Sequence, residues 1–197
     1  MIRKLVAVAL AVSSLVSLTA CAANDPLAQQ YKAGDNKNYI AGDGTVREFA
    51  EANRGSAVGW SGATESGTVL KSSQLTGVVV VMNFWYAGCA PCRAEAPDLV
   101  ALNKEFVGQK VQFIGVNVRD SAETAAAFER RFGIVWPSVM DATTGSVLLS
   151  FTGVVTPQAV PTTLVIDGKG RVSARILGRI EKGTLKALIT TAVSENK

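Results

Sequence analysis

Cys89 and Cys92 stand with only Ala90 and Pro91 between them, and a pair at that spacing has two chemistries open to it. It can cycle between a dithiol and a small disulfide ring, or it can supply half of a tetrahedral metal site. A metal site needs further His or Cys ligands, and the chain has no His and one other cysteine. Metal binding is therefore not expected. A static structural disulfide is the remaining bland reading.

The elements that must position the pair favour reversible redox chemistry. Val78 to Met82 is a short, β-branched apolar run that reads as a fully buried strand. Beyond the pair, Leu99, Leu102 and Phe106 recur at helical spacing and predict a helix over 95–107. The cysteines thus sit where a central strand hands over to a helix. Unpaired N–H groups in a helix's first turn stabilise negative charge, so a Cys89 thiolate just ahead of that turn is favoured. Pro91 suits an early helical position because it has no N–H to lose. A C-x-x-C at this junction, near a βαβ pattern, is the redox signature of the thioredoxin fold.

Composition narrows the field further. Of 197 residues, 48% are apolar, which allows a sizeable core in one domain. The formal charge of +4 comes without a dense Lys/Arg block interleaved with aromatics, so no nucleic-acid partner is expected. Lack of His also excludes Ser-His-Asp and Cys-His nucleophile sites. Residues 1–20 read as an export leader, with Arg3 and Lys4 ahead of an apolar stretch from Leu5 to Leu18 that is short for a spanning helix. Leu18-Thr19-Ala20-Cys21 resembles the lipobox of bacterial lipoproteins, which implies cleavage before Cys21 and a lipid on its thiol. An ordinary cleaved signal or an uncleaved anchor is the alternative. Residues 21–44 then read as a lipid-anchored tether and 45–197 as the folded domain, on the extracytoplasmic face of a bacterial cell membrane.

Within that domain, 45–49 reads as a strand or one helical turn, and 58–70 as a hairpin turning at Glu65-Ser66-Gly67. Val111 to Val118 is a second apolar strand, expected parallel to the central one. A helix over 122–132, capped by Ser121, is expected to turn Ala126, Phe128 and Phe132 inward and Glu123, Glu129, Arg130 and Arg131 outward. A short strand at 136–140 and a helical turn or two from Ser146 follow. Thr162 to Asp167 and Arg171 to Leu177 form a hairpin across Gly168-Lys169-Gly170, and a helix over 181–193 closes the chain. Gly-x-Gly here is a turn, because no helix follows it to cradle a phosphate.

Asn83-Phe84-Trp85, the C-x-x-C, the acid three residues beyond its second cysteine, and Val160-Pro161-Thr162-Thr163 recur in the same order in one known family. Residues 58–193 resemble the TlpA/ResA (CcsX/DsbE-like) family of membrane-anchored thioredoxin-like thiol–disulfide oxidoreductases. The resemblance implies an α/β thioredoxin-like fold: a central mixed sheet flanked by helices, an N-terminal β-hairpin, and an αβ insertion at 121–155. It implies that Pro161 is a cis proline, a bond type most X-Pro pairs do not adopt, and that Val160 and Pro161 present backbone to an extended substrate segment. Trp85 would shield the disulfide. Asn83 stands where thioredoxin has a buried acid, and the titrating carboxyl would instead be Glu95, raised in pKa by burial and passing protons during exchange. A first-turn Glu favoured by the helix dipole is its bland alternative. No cofactor is expected beyond the Cys89–Cys92 disulfide.

The same resemblance implies protein thiol or disulfide substrates, among them apocytochrome c kept reduced for haem attachment, and a CcdA-like membrane electron donor. One departure concerns Gly88, where many relatives carry Trp; the missing ring is expected to open the surface around Cys89. Three rival functions remain open. A DsbE/DsbF-like oxidase would run the same residues backward. A peroxiredoxin-type peroxidase has Thr where Tyr86 stands. A non-catalytic binding lipoprotein would keep the disulfide as structure alone.

Overall fold

The computed structural model describes residues 45–155 and 159–196. The leader, the tether and Cys21 lie outside the described residues. Among the described residues, no helix is long and apolar enough to cross a membrane.

The architecture grows from one strand. β4 (Val79–Trp85) is buried at all seven positions, as its unbroken apolar run requires of a strand covered on both faces. It pairs in parallel with β5 (Val111–Asn117), the neighbour anticipated for it, and antiparallel with β7 (Thr162–Ile166). β8 (Val172–Leu177) returns beside β7, and β6 (Ser138–Met140) runs parallel along the far side of β5. The first segment, 45–49, resolves as strand β1 (Val46–Glu48), pairing with β8. The six-stranded mixed sheet has the order β1-β8-β7-β4-β5-β6. β2 (Ser61–Ala63) and β3 (Val69–Lys71) make the separate hairpin expected at 58–70.

Alternation along β4 assigns its two faces. Val79 and Val81 join Leu99 and Leu102 of α1 (Ala90–Glu105) and Leu185 and Ile189 of α4 (Lys182–Glu195) in one core. Val80, Met82 and Phe84 face the other way. They pack with Trp60, with Val147 of the short helix α3 (Ser146–Ser150) and with Phe151. Asn83 and Trp85, next in the Val79–Val81 row, therefore fall on the α1 side of the sheet.

Two helices bear directly on the sequence expectations. α1 begins at Ala90, ahead of the apolar repeat read over 95–107 and at the start that the cysteine pair implied, because Cys89 caps it and Pro91 fits its first turn. The apolar spacing is visible only further along. In α2 (Ala122–Phe132), Ser121 caps as expected, its hydroxyl accepting from the Thr124 amide. However, Ala125 rather than Ala126 is buried, and Glu129 is buried rather than solvent-facing. Glu129 lies one position past buried Phe128 and one turn after Ala125, at the edge of the apolar stripe. α2, β6 and α3 form the αβ insertion, and the fold is thioredoxin-like as the resemblance implies.

Candidate active site

The site forms where β4 ends. Three residues separate Trp85 from Cys89, and the chain must turn sharply to enter α1. Asp120, after β5, holds that turn: its Oδ2 accepts from the Ala87 amide at 2.7 Å and from Asn117 Nδ2 at 2.7 Å. Neither residue was singled out from the sequence. A polar Asn ending an apolar strand three residues before an Asp was the available signal.

Cys89 and Cys92 are joined as a disulfide, with their Cα atoms 5.3 Å apart. The Cys92 amide donates to Cys89 Sγ at 3.2 Å, so the Cys89 sulfur occupies the N-cap acceptor position of α1. A thiolate there keeps that donor and gains from the field of the helix N-terminus. The two sulfurs are thus unequal: Cys89 has the cap position, whereas Cys92 lies within the first turn.

The region around Cys89 is more closed than the missing ring at position 88 suggests. Cys89 is 0% exposed and Cys92 3%. Gly88 itself is exposed, but Tyr86 folds back beside it, with its ring 3.4 Å from where a Cβ would stand. The Arg119 guanidinium covers that ring 4.5 Å from its centroid. The expectation that Gly88 opens the surface is therefore corrected: an aromatic from two residues upstream fills the space. In this disulfide form both cysteines are almost wholly shielded from solvent.

Trp85 is 3% exposed and belongs to the same buried cluster as Cys89, Cys92, Ala96 and Val160. Its indole stacks on Phe128 at 4.5 Å. Val160 brings its carbonyl oxygen 4.0 Å from Cys89 Sγ, and the Val160–Pro161 bond is cis. Arg93 is exposed and stands clear of this cluster.

Glu95 lies one turn beyond Cys92 on α1 and is fully buried. Its Oε1 accepts from Asn83 Nδ2 at 2.8 Å, and its Oε2 accepts from the Ile180 amide at 2.9 Å. Asn83 Nδ2 also donates to Thr163 Oγ1 at 3.0 Å. Burial is the dominant influence and pushes the Glu95 pKa up to about 7, against the two hydrogen bonds that favour the charged form. A carboxyl so placed changes protonation near neutral pH. Asn83, which cannot titrate, acts as its anchor.

Comparison with known proteins places this geometry. The AhpC/TSA family model matches residues 55–175, more than half of the chain. The chain belongs to the AhpC/TSA family. Over 120 residues it is 32% identical to the thiol-disulfide oxidoreductase ResA of Bacillus subtilis, covering 61% of this chain and 64% of that one. The chain spans less than two thirds of the length of such curated relatives. Among solved structures, it is similar to a DsbF homologue from Corynebacterium diphtheriae, 30% identical with a TM-score of 0.67 over 76% of this chain and 94% of that one. It is also similar to a secreted thiol-disulfide isomerase from Corynebacterium glutamicum, 29% identical with a TM-score of 0.71 over 77% and 94%.

Proposed function

We propose that the protein is an extracytoplasmic thiol–disulfide oxidoreductase, anchored through a lipid on Cys21, that reduces disulfides in exported proteins such as apocytochrome c. The observation that carries this reading is the Cys89 sulfur, capping α1 and accepting the Cys92 amide. In the reduced protein, the Cys89 thiolate attacks one sulfur of a substrate disulfide. A mixed disulfide forms, and the other substrate sulfur leaves as a thiolate that takes up a proton. Cys92 then gives up its proton and attacks Cys89 Sγ. The second substrate thiolate is released and the Cys89–Cys92 disulfide closes. The substrate gains two electrons from the cysteine pair and two protons, one that began on Cys92 and one from solvent, the latter matching the proton that Cys89 released on becoming a thiolate. Glu95 is the group that accepts the Cys92 proton, either directly or across a water. Val160 and Pro161 flank the incoming cysteine, and Trp85 keeps water from the disulfide. No cofactor besides the cysteine pair is required, and a CcdA-like membrane protein returns the electrons.

Likeness to a DsbF homologue favours a second reading, in which the same residues donate the disulfide. A direct transfer separates the two. The reduced protein is mixed with a disulfide-bonded Cys-x-x-Cys-His peptide, and free thiols on each are counted by mass after alkylation. The reductant reading predicts a reduced peptide and an oxidised protein. Transfer that runs only from oxidised protein to reduced peptide would establish the donor reading, and no transfer either way would eliminate both.

A further inference from the structure

We propose that Thr163 is a positioning residue for exchange at Cys89–Cys92, holding the Asn83 amide against Glu95 and tying that carboxyl to the Val160–Pro161 segment; this rests on the oxidoreductase reading above. Thr163 is 1% exposed and stands on β7, two residues after Pro161. It pairs with Asn83 of β4 in the sheet register, so the two side chains meet on the α1 side. Asn83 Nδ2 donates to Thr163 Oγ1 at 3.0 Å and to Glu95 Oε1 at 2.8 Å. A primary amide nitrogen carries two protons, and both are committed here. An ionised Glu95 can only accept, which turns the N–H end of the amide toward it. Thr163 fixes that orientation by taking the second proton.

A second route joins Glu95 to the same segment. Its Oε2 accepts from the Ile180 amide at 2.9 Å, and Ile180 lies in the connection from β8 to α4. Two residues earlier, the Gly178 amide donates to the Pro161 carbonyl at 2.8 Å. Gly178 has φ 88°, a conformation open to glycine and costly for other residues. Between the two, Arg179 reaches Asp98 of α1, one turn beyond Glu95, at 3.8 Å. The Val160–Pro161 segment is itself closed by Thr162, whose hydroxyl donates to the Ala159 carbonyl at 2.6 Å. One oxygen of Glu95 thus leads to Pro161 through Asn83 and Thr163, the other through Ile180 and Gly178. The same segment brings the Val160 carbonyl to 4.0 Å from Cys89 Sγ. Proton acceptor and substrate entry point are thereby held in one arrangement, which resolution of the mixed disulfide requires.

Loss of the Thr163 hydroxyl leaves one Asn83 proton without its acceptor, and the amide can turn away from Glu95. The Asn83 bond favours the ionised carboxyl, so weakening it raises the Glu95 pKa further. The other groups that bear on the carboxyl stay in place. Burial disfavours its charge, the Ile180 amide and Arg179 favour it, and Asp98 on α1 opposes it. β4 and β7 present neutral side chains to it, Asn83 directly and Thr163 behind. Cys92, one turn earlier on α1, is the thiol it serves.

The test follows exchange between the reduced full chain and a disulfide peptide from pH 5 to pH 9. Thr163→Val is expected to slow exchange about threefold and to move the inflection near pH 7 upward. Thr163→Ser, which keeps the hydroxyl, should restore both the rate and the inflection. In a Glu95→Gln background, Thr163→Val should change nothing, because the two act through one carboxyl. Thr163→Ala also lacks the hydroxyl and takes the place of Thr163→Val if that chain does not fold. Equal losses in Thr163→Val and Thr163→Ser, or a Thr163→Val effect that persists in Glu95→Gln, would overturn the proposal and leave Thr163 a packing residue of β7. A wild-type chain without exchange would instead overturn the oxidoreductase reading and the positioning role together. The Asn83 side-chain amide resonances of the oxidised chain still report the link in that case. They should shift with a midpoint near pH 7 in the wild type and at higher pH in Thr163→Val, whereas identical titrations would show that Thr163 does not hold the amide.

Discussion

Cys89→Ser is expected to cut disulfide exchange by at least about 10³-fold, because the hydroxyl left at the cap position is a poor nucleophile at neutral pH. The fold should survive. A disulfide that closes so short a loop contributes only about 2 kcal/mol through chain entropy, and the core on both faces of β4 is built without it. Cys92→Ser should behave differently. Cys89 can still attack, but nothing resolves the product, so a mixed disulfide with the substrate peptide accumulates and is seen as a mass adduct that dithiothreitol removes. If the two variants lost activity alike and neither trapped an adduct, the assignment of attacking and resolving roles would be wrong. A purely structural disulfide would leave function intact in both.

The second large effect concerns Glu95 and pH. Its pKa is about 7 in the folded protein against an ordinary 4.5, so folding takes up a proton between those values. Stability therefore falls as pH rises through that window, by about 3 kcal/mol for this group alone. Below the unfolded value, the proton is bound in both states and the cost vanishes. Glu129, raised in the same direction by burial, adds a slope of the same sign. Urea unfolding of the oxidised protein at pH 5 and pH 8 should show the wild type more stable at pH 5. Glu95→Gln should flatten that difference by about half, mainly by stabilising the protein at pH 8. The same variant should slow exchange by at least about tenfold and remove an inflection near pH 7 from its rate profile. A Glu95→Gln protein with unaltered pH dependence of both stability and rate would show that the carboxyl is ionised when buried and takes no part in proton transfer.

What could be read from the sequence followed locality. Val78 to Met82 announces a doubly covered strand, and Cys89-Ala90-Pro91-Cys92 announces a capped helix start, because each signal is complete within a few neighbours. The resemblance carried Glu95, Trp85 and Pro161 because their neighbouring residues match a family pattern. The environment that gives Glu95 its chemistry was not legible. Its partner Asn83 lies 12 residues away, its partner Ile180 lies 85 away, and Thr163 reaches Asn83 from 80 away. Strand pairing sets Thr163 beside Asn83, and the packing of α1 against the sheet brings Glu95 to Asn83 and to the Ile180 amide beyond β8. Glu129 was assigned to solvent for the same reason: helical spacing sets it beside charged Arg130 and Arg131, whereas its burial comes from the tertiary fold. Gly88 misled in the opposite direction, since a missing side chain says nothing about Tyr86 folding into the space.

The most direct test of the account is the equilibrium reduction potential of the Cys89–Cys92 pair, measured by thiol alkylation across a dithiothreitol and glutathione series. The account predicts one reversible two-electron transition at a reducing potential near that of thioredoxin, about −270 mV. A value near that of DsbA, about −120 mV, would contradict the reducing direction, and a pair that never equilibrates with the buffer would contradict the exchange chemistry itself.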